Sequence, residues 1–272
     1  MVSNYDNKII SMFTTGDANI YKNHLIKMDD SGEIVEQHLV DSTFDYFGFF
    51  GLIEDMTDST YIAFGKYIDS LGIVNNNEPK AFLLKLDSLG NHIWLKSYSN
   101  TLLTISAVKA MDGGFWVCGS TSPQEYCSDG WFLNNDLFLI KTDAFGNEEG
   151  RIVFGGSCGN EFASVNEYKQ DKVVLVGRLT NTENGPDDMY NGFYYSTLIE
   201  QQSNEMLLET TPMKKYLNAY NGNFVDLHYL PNDGYLIVCD NQISPQQGAG
   251  TEIVYRWKGC LMKLDMNRDR GT

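Results

Sequence analysis

Carboxylates are the side chains of this sequence best suited to chemistry, and three of them begin predicted strands at repeated positions. Glycoside hydrolysis needs an acid and a base carboxylate held a few ångströms apart. Asp45, Glu161 and Asp226 lie at or near the starts of predicted strands that would face a central channel. Because the chain holds 36 acidic residues, some fall there by chance. The leading hypothesis is therefore a non-catalytic binding or scaffold protein. The alternative is a carbohydrate-active enzyme built on a five-bladed β-propeller, the fold that the repeats described below predict.

Aromatic rings mixed with carboxylates form a second group of candidates, in or beside long predicted loops. Long loops on a rigid scaffold are common sites of binding. Rings beside acidic and amide groups suit contacts with a glycan or a peptide. The competing interpretation is that these rings pack their own loops against the strands. The predicted ligand-binding face comprises Tyr67, Tyr126, Asp129, Trp131, Phe132, Asp136, Asp187, Asp188 and Tyr190.

The five cysteines suggest one disulfide and no metal site. Cys127 and Cys158 lie in two loops of the same repeat, and they are the predicted disulfide if the protein is exported. Cys118 and Cys239 lie on predicted strands, where cysteine acts as a small buried apolar residue. The four histidines are far apart in sequence, and neither H-x-x-x-H nor C-x-x-C spacing occurs. No zinc site and no cofactor are therefore predicted.

A serine-hydrolase motif is also present, in the wrong context. Residues 155–159 read GGSCG and match G-x-S-x-G. That motif works because a strand-to-helix elbow exposes the serine. Here the segment falls in a predicted loop, and the residues that follow it read as a strand. We interpret it as a glycine-rich turn.

The elements that must position these residues come from a repeat whose clearest copy is AFLLKLDSLGNHIWLKSY, residues 81–98. It reads as two strands joined by a turn that starts at Asp87 and ends at Gly90, residue types that favour chain reversal. The positions aligned with Lys85 recur about every 60 residues, at 27, 141, 198 and 263, and a second predicted hairpin precedes most copies. Four strands in such a period are typical of a β-propeller blade.

The prediction is thus an all-β fold, a β-propeller of about five four-stranded antiparallel blades in a single domain over residues 1–272. Blades are predicted at 47–98, 103–155 and 161–210, with partial blades at 8–40 and 224–265. The first lacks its first strand and the last lacks its fourth. The two partial blades overlap rather than complement each other, which predicts either an open arc or a fragment of a larger propeller.

The net charge of the chain and the lengths of its apolar runs limit the classes of binding partner. A net charge of −16 argues against nucleic acid, because phosphate binding needs clustered Lys and Arg. No apolar run approaches the roughly 18 residues that cross a bilayer, so no membrane insertion is predicted. Residues 1–6 lack the features of a secretory signal, which predicts a cytoplasmic protein if Met1 is the natural start. Unpaired edges of an open arc predict closure through a dimer.

Three stretches resemble the repeat of a known family: MDGGFWV at 111–117, DLFLIKTD at 136–143 and KLDSLGNHIW at 85–94. They are similar to the repeats of secreted bacterial β-propeller proteins, which often end in a type IX secretion sorting domain. The resemblance covers most of residues 20–265. It implies an extracellular or cell-surface propeller that binds or displays a glycan or protein, and it brings no catalytic residue. The fourth repeat departs from the family pattern, and residues 1–272 are expected to carry neither the signal peptide nor the sorting domain of that family.

Overall fold

The computed structural model describes most of the chain and contains only strands and their connections. No helix occurs in the described residues, and so none that could span a membrane. The described residues are 3–5, 8–17, 20–40, 46–55, 57–68, 79–121, 136–154, 161–180, 191–202, 205–208, 214–220, 224–230, 234–243 and 256–264.

The strands follow one another in a regular series. The first eight are β1 (Ser3–Tyr5), β2 (Lys8–Asp17), β3 (Ile20–Met28), β4 (Ile34–Val40), β5 (Tyr46–Asp55), β6 (Thr60–Ile68), β7 (Lys80–Leu86) and β8 (His92–Ser97). The next six are β9 (Leu103–Lys109), β10 (Phe115–Ser120), β11 (Leu137–Thr142), β12 (Glu148–Phe154), β13 (Glu161–Lys169) and β14 (Lys172–Thr180). The last six are β15 (Asn191–Gln202), β16 (Glu205–Leu208), β17 (Lys214–Tyr220), β18 (Phe224–Leu230), β19 (Gly234–Ile243) and β20 (Arg256–Leu264).

These strands form five sheets in chain order, each built by neighbouring strands. The first three sheets are β1–β4, β5–β8 and β9–β12, the fourth is β13–β16 with β17 also paired to β15, and the fifth is β18–β20. The predicted fold class, an all-β propeller of four-stranded antiparallel blades, is confirmed. One detail was wrong: the first sheet has a first strand, since Ser3–Tyr5 pairs with the start of β2. Three residues are too short a run to show strand periodicity in sequence.

The chain divides into two compact units, which are described separately. The first comprises residues 1–109, 113–122 and 138–149, and the second comprises 110–112, 123–137 and 150–272. The predicted single domain over 1–272 remains a prediction.

Alternation along β6 and β7 divides their side chains between two hydrophobic cores of the first unit. Successive residues of a strand face opposite sides of its sheet, so each side of this sheet packs against a different neighbour. Burying one such Leu or Phe side chain contributes about 1.5–3 kcal/mol. One core contains Ile10, Met12, Leu25, Val40, Tyr61, Ala63, Phe82, Leu84 and Leu86, and the other contains Ile62, Phe64, Ala81, Leu83, Tyr98, Ala107, Phe115, Val117, Phe138 and Ile140.

The turn predicted at Asp87 is held by its own side chain. Asp87 Oδ1 accepts hydrogen bonds from the backbone N–H groups of Leu89, at 2.9 Å, and Asn91, at 2.8 Å. Its Oδ2 accepts a third from the Asn91 side-chain amide. Gly90 has a φ of +83°, a left-handed conformation that glycine adopts without steric cost. This network confirms the predicted turn chemistry.

Candidate ligand-binding ends of the sheets

The two ends of each sheet differ in how their strands are joined. In an antiparallel sheet of consecutive strands, the connections between strands one and two and between three and four lie at one end. We call this the turn end. The connection between strands two and three lies at the opposite end, which we call the loop end. Long second-to-third connections separate β6 from β7, β10 from β11, β14 from β15 and β19 from β20. In the first sheet this connection is short, because Asp17 is already paired with Ile20.

Two residues of the predicted ligand-binding face lie in the described part of the chain, and both are at loop ends. Tyr67 is the second-to-last residue of β6, opposite Phe47 on one side and Lys80 on the other. Asp136 is half-buried and immediately precedes β11. The other predicted members lie outside the described residues: Tyr126, Asp129, Trp131, Phe132, Asp187, Asp188 and Tyr190.

Two of the three candidate catalytic carboxylates lie on strands that pack together. Glu161 is the first residue of β13, opposite Arg178. Asp226 is the third residue of β18, opposite Val238. Strands β13 and β18, the first strands of the fourth and fifth sheets, are in contact within the second unit. Asp45 lies outside the described residues.

A β-bulge recurs in the first strands of the second to fifth sheets, and it was not predicted from the sequence. In β5 the pairing with β6 skips from Phe49 to Gly51. In the other three sheets the skipped residues are Ile105 in β9, Ala163 in β13 and Val225 in β18. Each bulge lies in the half of the strand nearer the loop end. Bulges bend a strand, redirect side chains and are frequent beside functional sites.

Glycine in the second strand was the available signal for these bulges. The residues opposite the loop-side edge of the bulge in β5, β9 and β13 are Gly65, Gly119 and Gly177. A Cβ built on Gly65 or Gly119 would lie 2.0 Å from the carbonyl oxygen of Gly48 or Leu103. The backbones therefore approach too closely for any side chain, and an isolated glycine in a strand indicates this.

Phe50, the bulged residue of β5, is an aromatic ring available to a ligand. It is 47 % exposed, while Phe49 beside it packs against the core of the first unit. An exposed ring on a bulge between the core and the loop end suits stacking on a sugar or an apolar side chain. Alternation of apolar and polar residues alone does not locate a bulge, so the sequence does not single out Phe50.

At the turn ends, by contrast, buried charges have structural partners. The Asp55 carboxylate is 5 % exposed and accepts hydrogen bonds from the Lys109 ammonium and the Thr57 hydroxyl. Burial raises the pKa of Asp55, but the Lys109 and Thr57 interactions outweigh it and leave that pKa below its ordinary value. Asp55 is thereby held ionised as part of the scaffold. It is a poor proton donor.

Two further buried charged side chains form hydrogen bonds with backbone groups. Glu167 in the second unit accepts hydrogen bonds from the backbone N–H groups of Met111 and Asp171. Lys141 in the first unit is fully buried; its Nζ donates to the Thr142 carbonyl at 3.0 Å and lies 5.7 Å from the centre of the Trp116 ring. Across the described residues, no cluster of three or more His, Cys, Asp and Glu could hold a metal ion.

The cysteine predictions are tested at one position. Cys118 is a free, fully buried thiol, as predicted, and burial raises its pKa far above the usual range. It is therefore unreactive at neutral pH. Cys127, Cys158 and the glycine-rich segment 155–159 lie outside the described residues.

Comparison with known proteins gives a fold and no family. No family model matches the sequence, and no curated protein matches it. Among solved structures, a levansucrase mutant from Bacillus subtilis has a TM-score of 0.51 and 9% identity, over 99% of this chain and 82% of the levansucrase. A GH43_1 enzyme from Xanthomonas citri has a TM-score of 0.49 and 8% identity, over 100% and 88% of the two chains. A DUF4221 protein from Bacteroides vulgatus has a TM-score of 0.47 and 12% identity, over 96% and 79%.

The structural similarity to the levansucrase supports the fold class and gives no information about function. The levansucrase has a TM-score above 0.5 over almost the whole of this chain, which supports a likeness of fold. At such low identity, a shared propeller carries no information about the reaction, because one fold supports many unrelated functions.

Proposed function

We propose that this protein is a non-catalytic extracellular binding propeller whose ligand, a glycan or a protein, contacts the loop ends of the sheets. The observation that supports the proposal most is the repeated bulge, which in β5 exposes the Phe50 ring. The long connections that carry most of the predicted binding residues start from the same ends of the sheets. The buried charges at the turn ends are occupied in holding the scaffold together.

The chemistry of the loop-end residues favours a glycan as the first ligand to test. Sugar rings stack on aromatic faces, and their hydroxyl groups donate hydrogen bonds to carboxylates. Phe50 supplies an exposed aromatic ring. Trp131 and Asp129 would add a second ring and a carboxylate from the connection between β10 and β11. A net charge of −16 further favours neutral or cationic ligands over acidic polysaccharides.

Phe50→Ala and Phe145→Ala make a matched pair of variants for the test. Both rings are exposed, but Phe145 lies in the turn between β11 and β12, at a turn end. Binding to a panel of neutral and charged polysaccharides should be measured by calorimetry or on an immobilised glycan array. We expect Phe50→Ala and Trp131→Ala each to weaken binding about tenfold or more, and Phe145→Ala to leave it unchanged. Equal losses from Phe50→Ala and Phe145→Ala would contradict the assignment to the loop ends.

A catalytic function is the second candidate, and the contact between β13 and β18 favours it. Glu161 and Asp226 near the starts of these strands would supply the two carboxylates of a glycosidase. The same panel should be assayed for released reducing sugar. Turnover by the parent protein that is abolished by both Glu161→Gln and Asp226→Asn, with binding retained, would establish the enzyme. Binding without turnover would leave the binding propeller as the function.

A further inference from the structure

A cross-strand pair that recurs in the second, third and fourth sheets is replaced by different residues in the fifth sheet. At the bulge, the second strand carries a glycine and the third strand carries an aromatic residue beside it. These pairs are Gly65 opposite Phe82, Gly177 opposite Tyr195, and Gly119, where an added Cβ would lie 2.9 Å from the ring of Phe138. At the same place in the fifth sheet, Cys239 lies opposite Cys260. Both positions of the pair have become cysteine.

The pairing around these cysteines is continuous. Strands β19 and β20 pair without interruption from Tyr235 opposite Leu264 to Ile243 opposite Arg256. Directly opposite residues of an antiparallel pair share one face of the sheet, and their Cα atoms are about 4.5–5.5 Å apart. That spacing falls within the roughly 4.4–6.8 Å over which disulfides form. The pairing of Cys239 with Cys260 is therefore compatible with the backbone spacing of a disulfide.

Cys239 occupies the position of a glycine that the second and third sheets need. A Cβ at Gly65 or Gly119 would lie 2.0 Å from a carbonyl oxygen across the bulge. The fifth sheet also bulges here, between Phe224 and Asp226. Introducing a side chain at this point lowers stability. Losing the aromatic residue lowers it further, because a cross-strand contact is removed. A covalent bond between the two replacements would offset both losses.

We propose that Cys239 and Cys260 form a cross-strand disulfide that substitutes for the glycine–aromatic pair of the second, third and fourth sheets. In the reaction, one cysteine thiolate attacks a small-molecule disulfide such as oxidised glutathione and expels one glutathione thiolate. The second cysteine thiolate then displaces the other glutathione from the mixed disulfide. The two cysteines are oxidised, the oxidant is reduced to two thiols, and the two cysteine protons pass to those thiols. The bond ties together the strands on either side of the long connection between β19 and β20.

Peptide mapping of the full chain tests the bond directly. The protein is equilibrated with oxidised glutathione, denatured without reductant in N-ethylmaleimide and cleaved with trypsin. Cys260 is then in the peptide 259–263 and Cys239 in 216–256, while Cys118 and Cys127 share 110–141 and Cys158 is in 152–169. We expect the peptides 259–263 and 216–256 to be recovered as one species, lighter than their summed masses by two hydrogen atoms. Recovery of Cys260 alkylated, or joined to any other cysteine, would overturn the proposal.

A variant that restores the glycine–aromatic pair of the second, third and fourth sheets provides the control. In a Cys127→Ser/Cys158→Ser background, reductant should lower the Tm of the chain by roughly 5 °C, because it opens the loop that the bond closes. The same chain carrying Cys239→Gly and Cys260→Phe should show no change of Tm with reductant. A reductant effect that persists in this variant would contradict the proposal. If the variant does not fold, the peptide map of the parent chain decides alone.

Discussion

The connection between β7 and β8 and the connection between β15 and β16 occupy the same place in the repeat but have different geometries. In the first, Asp87, Gly90 and Asn91 form a hydrogen-bonded turn after a strand of seven residues. At the positions aligned with Asp87 and Gly90, the second has Glu200 and Ser203. There β15 continues for 12 residues, and its end, Gln202, pairs with Glu205. The exchange of these two residues accompanies the replacement of a long turn by a short hairpin.

The difference follows from side-chain length and backbone freedom. An Asp carboxylate reaches the backbone N–H groups two and four residues ahead, whereas Glu is one methylene longer and rarely does so. A serine in the left-handed conformation of Gly90 would cost about 1–2 kcal/mol. Without either device, ladder pairing continues further along the strands. Because β16 then covers only residues 199–202 of β15, residues 191–196 pair with β17 instead.

The largest expected effect comes from the glycine of the turn between β11 and β12. Gly146 has a φ of +75°, and an added Cβ would lie 2.9 Å from the Lys96 side chain and 3.0 Å from the Trp94 ring. Gly146→Ala should therefore combine backbone strain with a clash and lower the free energy of unfolding by about 2–3 kcal/mol. The measurement is urea denaturation followed by tryptophan fluorescence.

Gly32→Ala is the matched control for this variant. Gly32 ends the equivalent turn after β3 with a φ of +86°, but nothing lies within 4 Å of its added Cβ. Backbone strain alone should cost about 1–2 kcal/mol there. If the two variants lose equal stability, the packing of the Gly146 turn against Trp94 and Lys96 contributes nothing.

How far the fold could be predicted depended on whether a feature is local. The turn at Asp87 could be predicted because its residues interact with one another over five positions. Glycines in the second strands signal the close backbone approach at the bulges, but which residue is skipped, such as Phe50, depends on pairing across the sheet. Likewise, pairing of β17 with β15 depends on the short length of β16, a consequence of the altered hairpin. Tyr67 and Asp136 were located at loop ends because connection length is visible in sequence, whereas their contacts are not.

A smaller effect is expected from the carboxylate itself. Asp87→Ala removes the acceptor of three hydrogen bonds within the turn and should cost about 1–2 kcal/mol, the usual range for a lost capping side chain. Ser88→Ala, one residue further on, should change the free energy of unfolding by less than about 0.5 kcal/mol. Equal effects of the two substitutions in urea denaturation would show that the Asp87 network is not what stabilises this turn.

The stabilisation from Asp87 should also depend on pH. Burial raises the pKa of Asp87, but hydrogen bonds from Asn91 and Leu89 outweigh it, so that the pKa in the folded protein lies below the ordinary 3.8. The contribution is therefore complete above the ordinary pKa and is lost as the pH falls through the lower folded value. The stability gap between the parent chain and Asp87→Ala should be constant from neutral pH to about pH 5 and narrow below about pH 4. A gap that widens on acidification would contradict the direction of the shift.

The smallest effect is expected from moving the turn chemistry into the hairpin that lost it. Because Asn204 already occupies the position of Asn91, only Glu200→Asp and Ser203→Gly are needed to rebuild the three residues of the network. The new turn would gain hydrogen bonds to the shortened carboxylate at position 200, but it would end the ladder between β15 and β16 earlier. The two effects on the free energy of unfolding should therefore nearly cancel, to within about 1 kcal/mol. Hydrogen exchange separates them. We expect the amides of residues 201 and 202 to lose protection in the double variant, while the amide of Asn204 gains it through its bond to the new carboxylate. Unchanged exchange at all three would mean that residues outside the hairpin, such as the β17 strand paired to β15, determine its geometry.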